Sequence, residues 1–317
     1  MKSRHSNKSP QLNHKLLEFH PCRFQITSHE EKFHCLLNHV TIGEGRLYIL
    51  TMESLRFGED YHNKFDPKAY LNYYSGTDDH VEYREFSLRC FHEFWSKMAK
   101  RNVRVLDFGG GPAIFDLISA APYAEEIIFA EYSEENRKEA AAWRDRSPDA
   151  HDWSPYFKFV LQRLEGKGSE EAFLTRETEL REKITHILPC DIALEDPVKW
   201  PSTWTSQLGS FDVVTTSLCL EAAVKSEIAY RDAIAKLKKY LKPGGFLVMY
   251  SVIGETFYYV GKEKFYCLFV SENQIQEILR KEGFCEVAEM KLQAEPASEL
   301  FDGEKLYFVS AKVKSVQ

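Results

Sequence analysis

The 317-residue sequence lacks several features that mark specialised protein classes. No apolar run approaches the roughly 18 residues of a membrane-spanning helix, and the first residues carry no apolar signal-peptide core. The seven cysteines include no C-x-x-C pair, which favours reduced thiols over a disulfide framework or a zinc motif. We therefore expect a cytoplasmic protein with no membrane association and no bound metal.

A surplus of basic residues is also lacking. The formal net charge is −7, the sequence pI is about 5.9, and lysines and arginines are mixed with acids along the chain. Domains that bind nucleic acid present a basic face, so we expect no nucleic-acid partner. An acidic balance instead suits a small cationic ligand. We expect the protein to act on such a molecule as a monomer.

The first 51 residues differ from the rest of the chain. They hold six of the eleven histidines and show little hydrophobic periodicity. We interpret 1–51 as a flexible or non-native extension and 52–317 as one domain. The Cys and His residues of the extension do not have the spacing of a common zinc site; they are Cys22, His29, His34, Cys35 and His39.

From residue 80 onward, short apolar segments alternate with segments that have helical periodicity. Strands are predicted at 103–108, 126–133, 184–192, 211–218, 246–253, 284–293 and 305–313, the last two paired with each other. Helices are predicted at 80–100, 112–124, 134–147, 227–241 and 271–283. This alternation predicts an α/β fold, a Rossmann-like doubly wound sheet of about seven strands, with an N-terminal helical cap.

The sequence VLDFGGGP, residues 105–112, places a glycine turn directly after a buried strand. Glycines allow a tight turn and a close approach of the backbone to a ligand. Asp107 either holds this turn or receives the ammonium group of a ligand. A dinucleotide fingerprint requires a third glycine three residues after Gly111, where this chain has Ile114. An NAD-dependent oxidoreductase is therefore disfavoured.

Acidic residues at two later strand ends indicate a nucleoside ligand. Glu131 follows the glycines by about twenty residues, the position from which a carboxylate accepts ribose hydroxyls. Asp191 ends the next strand, where its carboxylate can accept the adenine amino group while Ile192 packs on the ring. The segment LKPGGFLV, residues 241–248, recurs in methyltransferases. Together these features favour S-adenosylmethionine as the ligand.

The sequence resembles the family of nicotinamide, phenylethanolamine, indolethylamine and thioether methyltransferases. The resemblance extends from about Phe65 to the C-terminus, and the motifs occur in the family's order. They are FDPKAYLNYY, LDFGGGPAIF, AEYSEENRKE, DWSP, TSLCLEAA, LKPGGFLVM and FYYVGKEKF. The resemblance implies a class I S-adenosylmethionine-dependent methyltransferase fold. It also supports Met52 as a natural start.

The same resemblance implies which residues hold the cofactor. Glu131 replaces the family's usual aspartate, Phe115 stands where several relatives carry a tyrosine, and the tyrosine motif is one residue shorter than usual. The implied cofactor residues are Tyr70, Tyr74, Gly109, Gly111, Phe115, Glu131, Tyr132, Asn136, Asp191, Ile192 and Ser217.

Three acids, Glu221, Glu255 and Asp302, occupy the positions that line the acceptor pocket in the family. Phenylethanolamine-type members carry acids at all three, and a protonated amine entering a partly buried pocket needs carboxylates to offset its desolvation. We therefore predict N-methylation of a small amine, of the arylalkylamine type, with these acids binding substrate first and acting as bases second. A pyridine or thioether acceptor, or an inactive module that binds the cofactor, are the alternatives.

Overall fold

The computed structural model describes residues 55–74, 81–293 and 301–315, together with the backbone of Val40–Gly43 and Arg46–Ile49. The chain divides into two units, Met1–Met52 and Glu53–Gln317. In the first unit, β1 (Val40–Gly43) and β2 (Arg46–Ile49) form an antiparallel hairpin. The cysteines and histidines of the extension that were considered as metal ligands lie outside the described residues.

The second unit begins with three helices, α1 (Asp60–Lys64), α2 (Pro67–Tyr74) and α3 (Val81–Ser96). Asp66 starts α2, because its Oδ1 accepts hydrogen bonds from the amides of Lys68 and Ala69 at 3.0 and 3.1 Å. In α3 the buried residues recur at helical spacing, so that one face packs on the sheet. These helices form the predicted N-terminal cap.

Seven strands form one sheet in the order β10-β11-β7-β6-β3-β4-β5. They are β3 (Val103–Phe108), β4 (Ala124–Glu131), β5 (Ile184–Pro189), β6 (Phe211–Ser217), β7 (Leu241–Ile253), β10 (Phe284–Gln293) and β11 (Lys305–Val313). Strands β3 to β7 run parallel, whereas β11 pairs antiparallel with both β7 and β10. The predicted doubly wound sheet and the pairing of its last two strands are confirmed.

Alternate residues of the central strands enter two different hydrophobic cores. Val105 packs in the core that includes Phe91 and Trp95 of α3. Its neighbour Leu106 points to the opposite face and packs with Tyr230, which belongs to α8 (Glu227–Tyr240). Because both faces are covered, the parallel strands are apolar almost throughout. The other helices are α4 (Glu134–Arg144), α5 (Ser154–Lys158), α6 (Glu170–Lys183), α7 (Leu220–Ala223) and α9 (Glu272–Lys281).

Two helical segments differ from the prediction. Residues 112–124 form only a 3-10 turn, Phe115–Leu117, followed by further turns. Prolines bound this stretch and its backbone bonds are mostly of the i→i+3 type, so the predicted helix is wrong. Helix α6 was not predicted from the sequence, because it buries only Arg176 and Leu180 and has almost no apolar face.

The aromatic segment before α9 forms a hairpin of β8 (Phe257–Val260) and β9 (Glu263–Tyr266). The cap contacts this hairpin directly. The hydroxyls of Tyr61 and Tyr258 are 2.6 Å apart, and Tyr74 donates a hydrogen bond to the carbonyl of Tyr259 at 3.0 Å. Over the part of the chain that the structure describes, no helix is both long and apolar enough to cross a membrane.

Candidate active site

A cavity of about 410 Å³ opens at the carboxyl ends of the parallel strands. Its floor is the turn after β3 and its walls come from the strand ends, the cap helices and the β8–β9 hairpin. Strand β3 pairs with β4 on one side and with β6 on the other, and the chain reaches β6 only after passing through β4 and β5. Ligands of open α/β sheets bind in this crevice, where the strand order reverses.

The glycine turn brings backbone to the cavity surface. Gly109 has φ +73°, and a Cβ there would collide with the Cys219 side chain. Gly111 has φ +62°, its amide donates to Oε2 of Glu131 at 3.0 Å, and a Cβ there would meet no atom within 4 Å. The turn therefore needs glycine at 109 for packing, whereas Gly111 faces open space in which a ligand can approach the backbone.

Glu131 is a fixed carboxylate at the end of β4. It is 6% exposed, and its Oε1 accepts hydrogen bonds from the Ser133 amide at 2.9 Å and from Asn136 Nδ2 at 3.0 Å. Its Oε2 accepts one hydrogen bond, from the Gly111 amide at 3.0 Å, and so keeps a further lone pair. Buried Oδ1 of Asn136 has no hydrogen-bond partner among the described residues. These acceptors, at the lining of the cavity, fit the two hydroxyls of a ribose.

The end of β5 forms the next part of the lining. Asp191 accepts a hydrogen bond from the Ala193 amide at 2.9 Å through Oδ1, and Ile192 is buried beside it. Tyr132 lines the same end, and the imidazole of His62 lies 4.5 Å from its ring centroid. An apolar side chain, an aromatic ring and a carboxylate are what an adenine base requires. His62 was missed because it belongs to the cap rather than to a strand end.

Two further acids lie at the centre of the sheet edge. Asp107 accepts a hydrogen bond from Thr215 at 2.6 Å, which joins β3 to β6, and burial raises its pKa to about 7. This contact joins two strands, and the two roles predicted for Asp107 stay predictions. Asp116 lines the cavity and accepts a hydrogen bond from Ser87 of α3 at 3.1 Å. Burial also raises the pKa of Asp116 to about 7, although Ser217 and Ser87 oppose the shift.

Asp116 was missed by the sequence analysis. The signal was present, since an acid in the otherwise apolar stretch 113–121 is unusual. Ser217, at the end of β6, lines the cavity nearby.

The predicted tyrosines line the cavity from the cap. The ring centroids of Tyr70 and Tyr74 are 4.8 Å apart, and burial raises the pKa of both phenols, so both remain protonated donors. Phe115 also lines the cavity, with the Tyr156 ring centroid 5.3 Å away. Tyr156, which follows the DWSP motif, is a second residue that the sequence analysis did not select.

Glu221 and Glu255 lie at the β6–β7 end of the cavity and are 2% and 7% exposed. Burial raises the pKa of Glu221 to about 7 and that of Glu255 to about 8. The thiol of Cys267 donates to Oε2 of Glu255 at 3.1 Å, which opposes the shift of Glu255, whereas the charge of Glu221 reinforces it. Oε1 of Glu221 has no hydrogen-bond partner in the described part of the chain. The two predicted acids are thus brought together.

Asp302, the third predicted acid, is held by the backbone of the β8–β9 hairpin. It does not line the cavity, and its Oδ1 accepts hydrogen bonds from the amides of Thr256 and Phe257 at 2.7 and 3.2 Å. The Thr256 hydroxyl donates to the other oxygen at 2.5 Å. Asp302 therefore fixes the start of the β8–β9 hairpin. Its charge also raises the pKa of Glu255, so it lies near the acceptor end, and its role in the acceptor pocket stays a prediction.

The cavity carries a strong excess of negative charge. Among the described residues that line it, Arg84 is the one cationic side chain. The acids that line it are Glu59, Asp116, Glu131, Asp191, Glu221 and Glu255. In a cavity with low-dielectric walls such an excess favours positively charged ligands. Within the part of the chain that the structure describes, no three His, Cys, Asp or Glu side chains are grouped so as to hold a metal ion.

Residues 53–314 match the NNMT/PNMT/TEMT family. Indolethylamine N-methyltransferase of Mus musculus is 32% identical over 248 residues, which cover 77% of this chain and 88% of that protein. Nicotinamide N-methyltransferase of Homo sapiens is 30% identical over 233 residues, 71% of this chain and 84% of that protein. Phenylethanolamine N-methyltransferase of Macaca mulatta is 28% identical over 241 residues, with coverages of 74% and 83%. The solved structure of magnesium protoporphyrin IX methyltransferase from Synechocystis PCC 6803 has a TM-score of 0.48 at 14% identity, covering 80% of this chain and 94% of that chain.

Proposed function

Because this chain belongs to the NNMT/PNMT/TEMT family and is therefore an S-adenosylmethionine-dependent N-methyltransferase, we propose that it methylates a small amine of the arylalkylamine type. The observation that carries the proposal is the pair Glu221 and Glu255, two buried carboxylates at one end of a negatively charged cavity. A protonated amine matches this environment, whereas a neutral pyridine gains nothing from it.

The residues predicted to hold the cofactor follow one another along the sheet edge. Asp191 and Ile192 at β5 would hold the adenine with Tyr132, and Glu131 at β4 would hold the ribose with Asn136. Gly109 and Gly111 would lie under the sulfur end, while Tyr70 and Tyr74 would close over the amino-acid end. Phe115 offers this ligand only an apolar surface, and Ser217 a hydroxyl.

When bound, S-adenosylmethionine supplies a methyl group on a positively charged sulfur. The chain then has to align a neutral nitrogen with that methyl group and exclude water. The buried carboxylates first bind the ammonium form of the acceptor, and the one that receives its proton leaves the nitrogen neutral. Carboxyl groups with a pKa near 7 or 8 accept a proton more readily than ordinary glutamates do.

A screen of acceptors tests the proposal. Purified protein is assayed with radiolabelled S-adenosylmethionine against arylalkylamines, nicotinamide and thioethers, using wild type, Glu255→Gln and Glu304→Gln. We expect arylalkylamines to be methylated and Glu255→Gln to lower kcat/KM for them at least tenfold. Glu304→Gln removes the same charge from an exposed nearby carboxylate and serves as the control, so its kcat/KM should stay within about twofold.

Preference for nicotinamide or a thioether as acceptor would contradict the amine proposal. An equal loss of kcat/KM in Glu255→Gln and Glu304→Gln would also contradict it. Cofactor binding without transfer to any acceptor would instead indicate a binding module. The cavity suits an amine rather than nucleic acid as partner. The same proposal includes the organisation of the chain, with residues 1–51 as a dispensable extension and residues 52–317 as the methyltransferase domain. It also includes a monomeric state and a cytoplasmic location.

A further inference from the structure

The cavity lining includes one acidic and one cationic side chain, Asp116 and Arg84, that the amine proposal does not use. Asp116 lies in the turn after the glycines, and Arg84 lies one helical turn before Ser87 on α3. Ser87 donates to Asp116 at 3.1 Å, so residues three apart on one helix bring Arg84 and Asp116 to the same region. The Arg84 guanidinium lies 5.9 Å from the ring centroid of Tyr156, which contacts Phe115.

The position of this pair along the sheet edge limits what it can bind. Glu131 and Asp191 end β4 and β5, on one side of β3, while Glu221 and Glu255 follow β6 and β7 on the other side. A nucleoside over β4 and β5 and an acceptor over β6 and β7 leave the part between them for the rest of the cofactor. That part of S-adenosylmethionine carries an α-ammonium group, an α-carboxylate and the sulfur.

The charges of the lining decide how a zwitterion fits there. An α-carboxylate entering a cavity with six acids needs a cation to offset desolvation and repulsion. Arg84 supplies the one cation on the wall described here, and a guanidinium matches a carboxylate in shape as well as in charge. The α-ammonium needs an anion, and Asp116 lies beside Ser217 at the end of β6.

We propose that Asp116 and Arg84 form a clamp for the amino-acid end of the cofactor, with Asp116 binding the α-ammonium and Arg84 the α-carboxylate. Ser87 positions Asp116 through its hydrogen bond. Arg84 thereby adds a charged donor at the place where Phe115 provides no hydroxyl. Tyr70 supplies a neutral donor to the same carboxylate, whereas the hydroxyl of Tyr74 donates to the Tyr259 carbonyl.

Three ligands that share one nucleoside test the clamp by calorimetry without any acceptor. S-adenosylhomocysteine has both charged groups, its decarboxylated analogue keeps only the ammonium, and 5′-methylthioadenosine has neither. Asp116→Asn should weaken the first two at least tenfold and leave the third within twofold. Arg84→Gln should weaken only S-adenosylhomocysteine by that amount.

Arg89→Gln is the matched control on α3, since Arg89 pairs with Glu85 and does not line the cavity. It should leave all three affinities within twofold.

Ser87→Ala is a milder change that keeps the clamp testable if Asp116→Asn does not fold. It should weaken the affinity for the two ammonium-bearing ligands by about threefold. Equal weakening of all three ligands would overturn the clamp in favour of a structural role. Unchanged affinities combined with a raised KM for amines would also overturn it, because Asp116 would then belong to the acceptor. The assay contains no acceptor, so it is independent of the amine proposal.

Discussion

Replacing Glu221 by glutamine should stabilise the protein while removing its function. Burial raises the pKa of this carboxyl from 4.5 to about 7, an effect that the backbone of Glu221 and Val252 and the side chain of Ser251 only partly oppose. Converted at 1.36 kcal/mol per pKa unit, a change of that size is on the order of 3 kcal/mol. In the wild type, burial of Glu221 therefore lowers the free energy of unfolding at every pH at which this carboxyl is ionised in the unfolded state.

The sign depends on pH. Below about pH 4.5 the carboxyl of Glu221 is protonated in both states and costs nothing. As pH rises from 4.5 to 7, the unfolded state loses its proton first, so the free energy of unfolding falls. Above pH 7 the cost is complete. The free energy of unfolding of Glu221→Gln, relative to that of wild type, should therefore increase by up to about 3 kcal/mol between pH 5 and pH 8.

Urea denaturation at these two pH values, without cofactor, measures the difference. Asp212→Asn is a control of opposite sign. Burial alone would raise the pKa of Asp212, but hydrogen bonds from Lys100, Lys242 and the Arg104 amide outweigh it and lower the pKa. Its carboxylate therefore contributes stability above the unfolded pKa, and Asp212→Asn should be less stable at pH 8.

Activity completes the test of Glu221. Amine kcat/KM should fall at least a hundredfold in Glu221→Gln, while affinity for S-adenosylhomocysteine should change less than threefold. A stability difference that is the same at pH 5 and pH 8 would refute the reasoning, because the carboxyl would then ionise normally. Equal losses of amine turnover and cofactor affinity would show instead that Glu221 is structural.

The remaining predictions concern pH and the N-terminal extension. With an amine acceptor, kcat/KM should rise at least tenfold from pH 6 to pH 8.5, because Glu221 and Glu255 ionise near 7 and 8 and only their charged forms attract an ammonium group. Glu255→Gln should remove the upper part of the rise, and a profile of the same shape in the Glu221→Gln, Glu255→Gln double variant would contradict it. Removing residues 1–51 should leave the melting temperature and kcat/KM unchanged within experimental error, and loss of soluble protein or of turnover would mean that the extension belongs to the fold.

Much of the fold was predictable because its signals are local. The apolar runs of β3, β4 and β6 follow from burial of a parallel sheet on both faces. The antiparallel pair β10 and β11 follows from two consecutive strands at the end of the chain. The prediction of helices failed in two places. Residues 112–124 have the hydrophobic periodicity of a helix but are bounded by proline. Helix α6 has almost no apolar face, so its sequence shows no such periodicity.

The family itself was also predictable, since the glycine turn, the strand-end acids and the order of the motifs are properties of the sequence alone. What each acid does was not. Glu221 and Glu255 lie 34 positions apart yet share one end of the cavity, whereas Asp302 is held by the amides of a hairpin that begins 45 positions earlier.

The sequence by itself thus determined the order of the strands, the family and its cofactor. Only the tertiary structure showed that Asp302 accepts hydrogen bonds from the hairpin amides, that Cys267 donates to Glu255, and that Asp116 lines the cavity beside Ser87. The physical reason is the range of the interactions. Turns and hydrophobic periodicity depend on residues close together in sequence. The burial, partners and pKa of a carboxylate depend on segments that come into contact only when the chain folds.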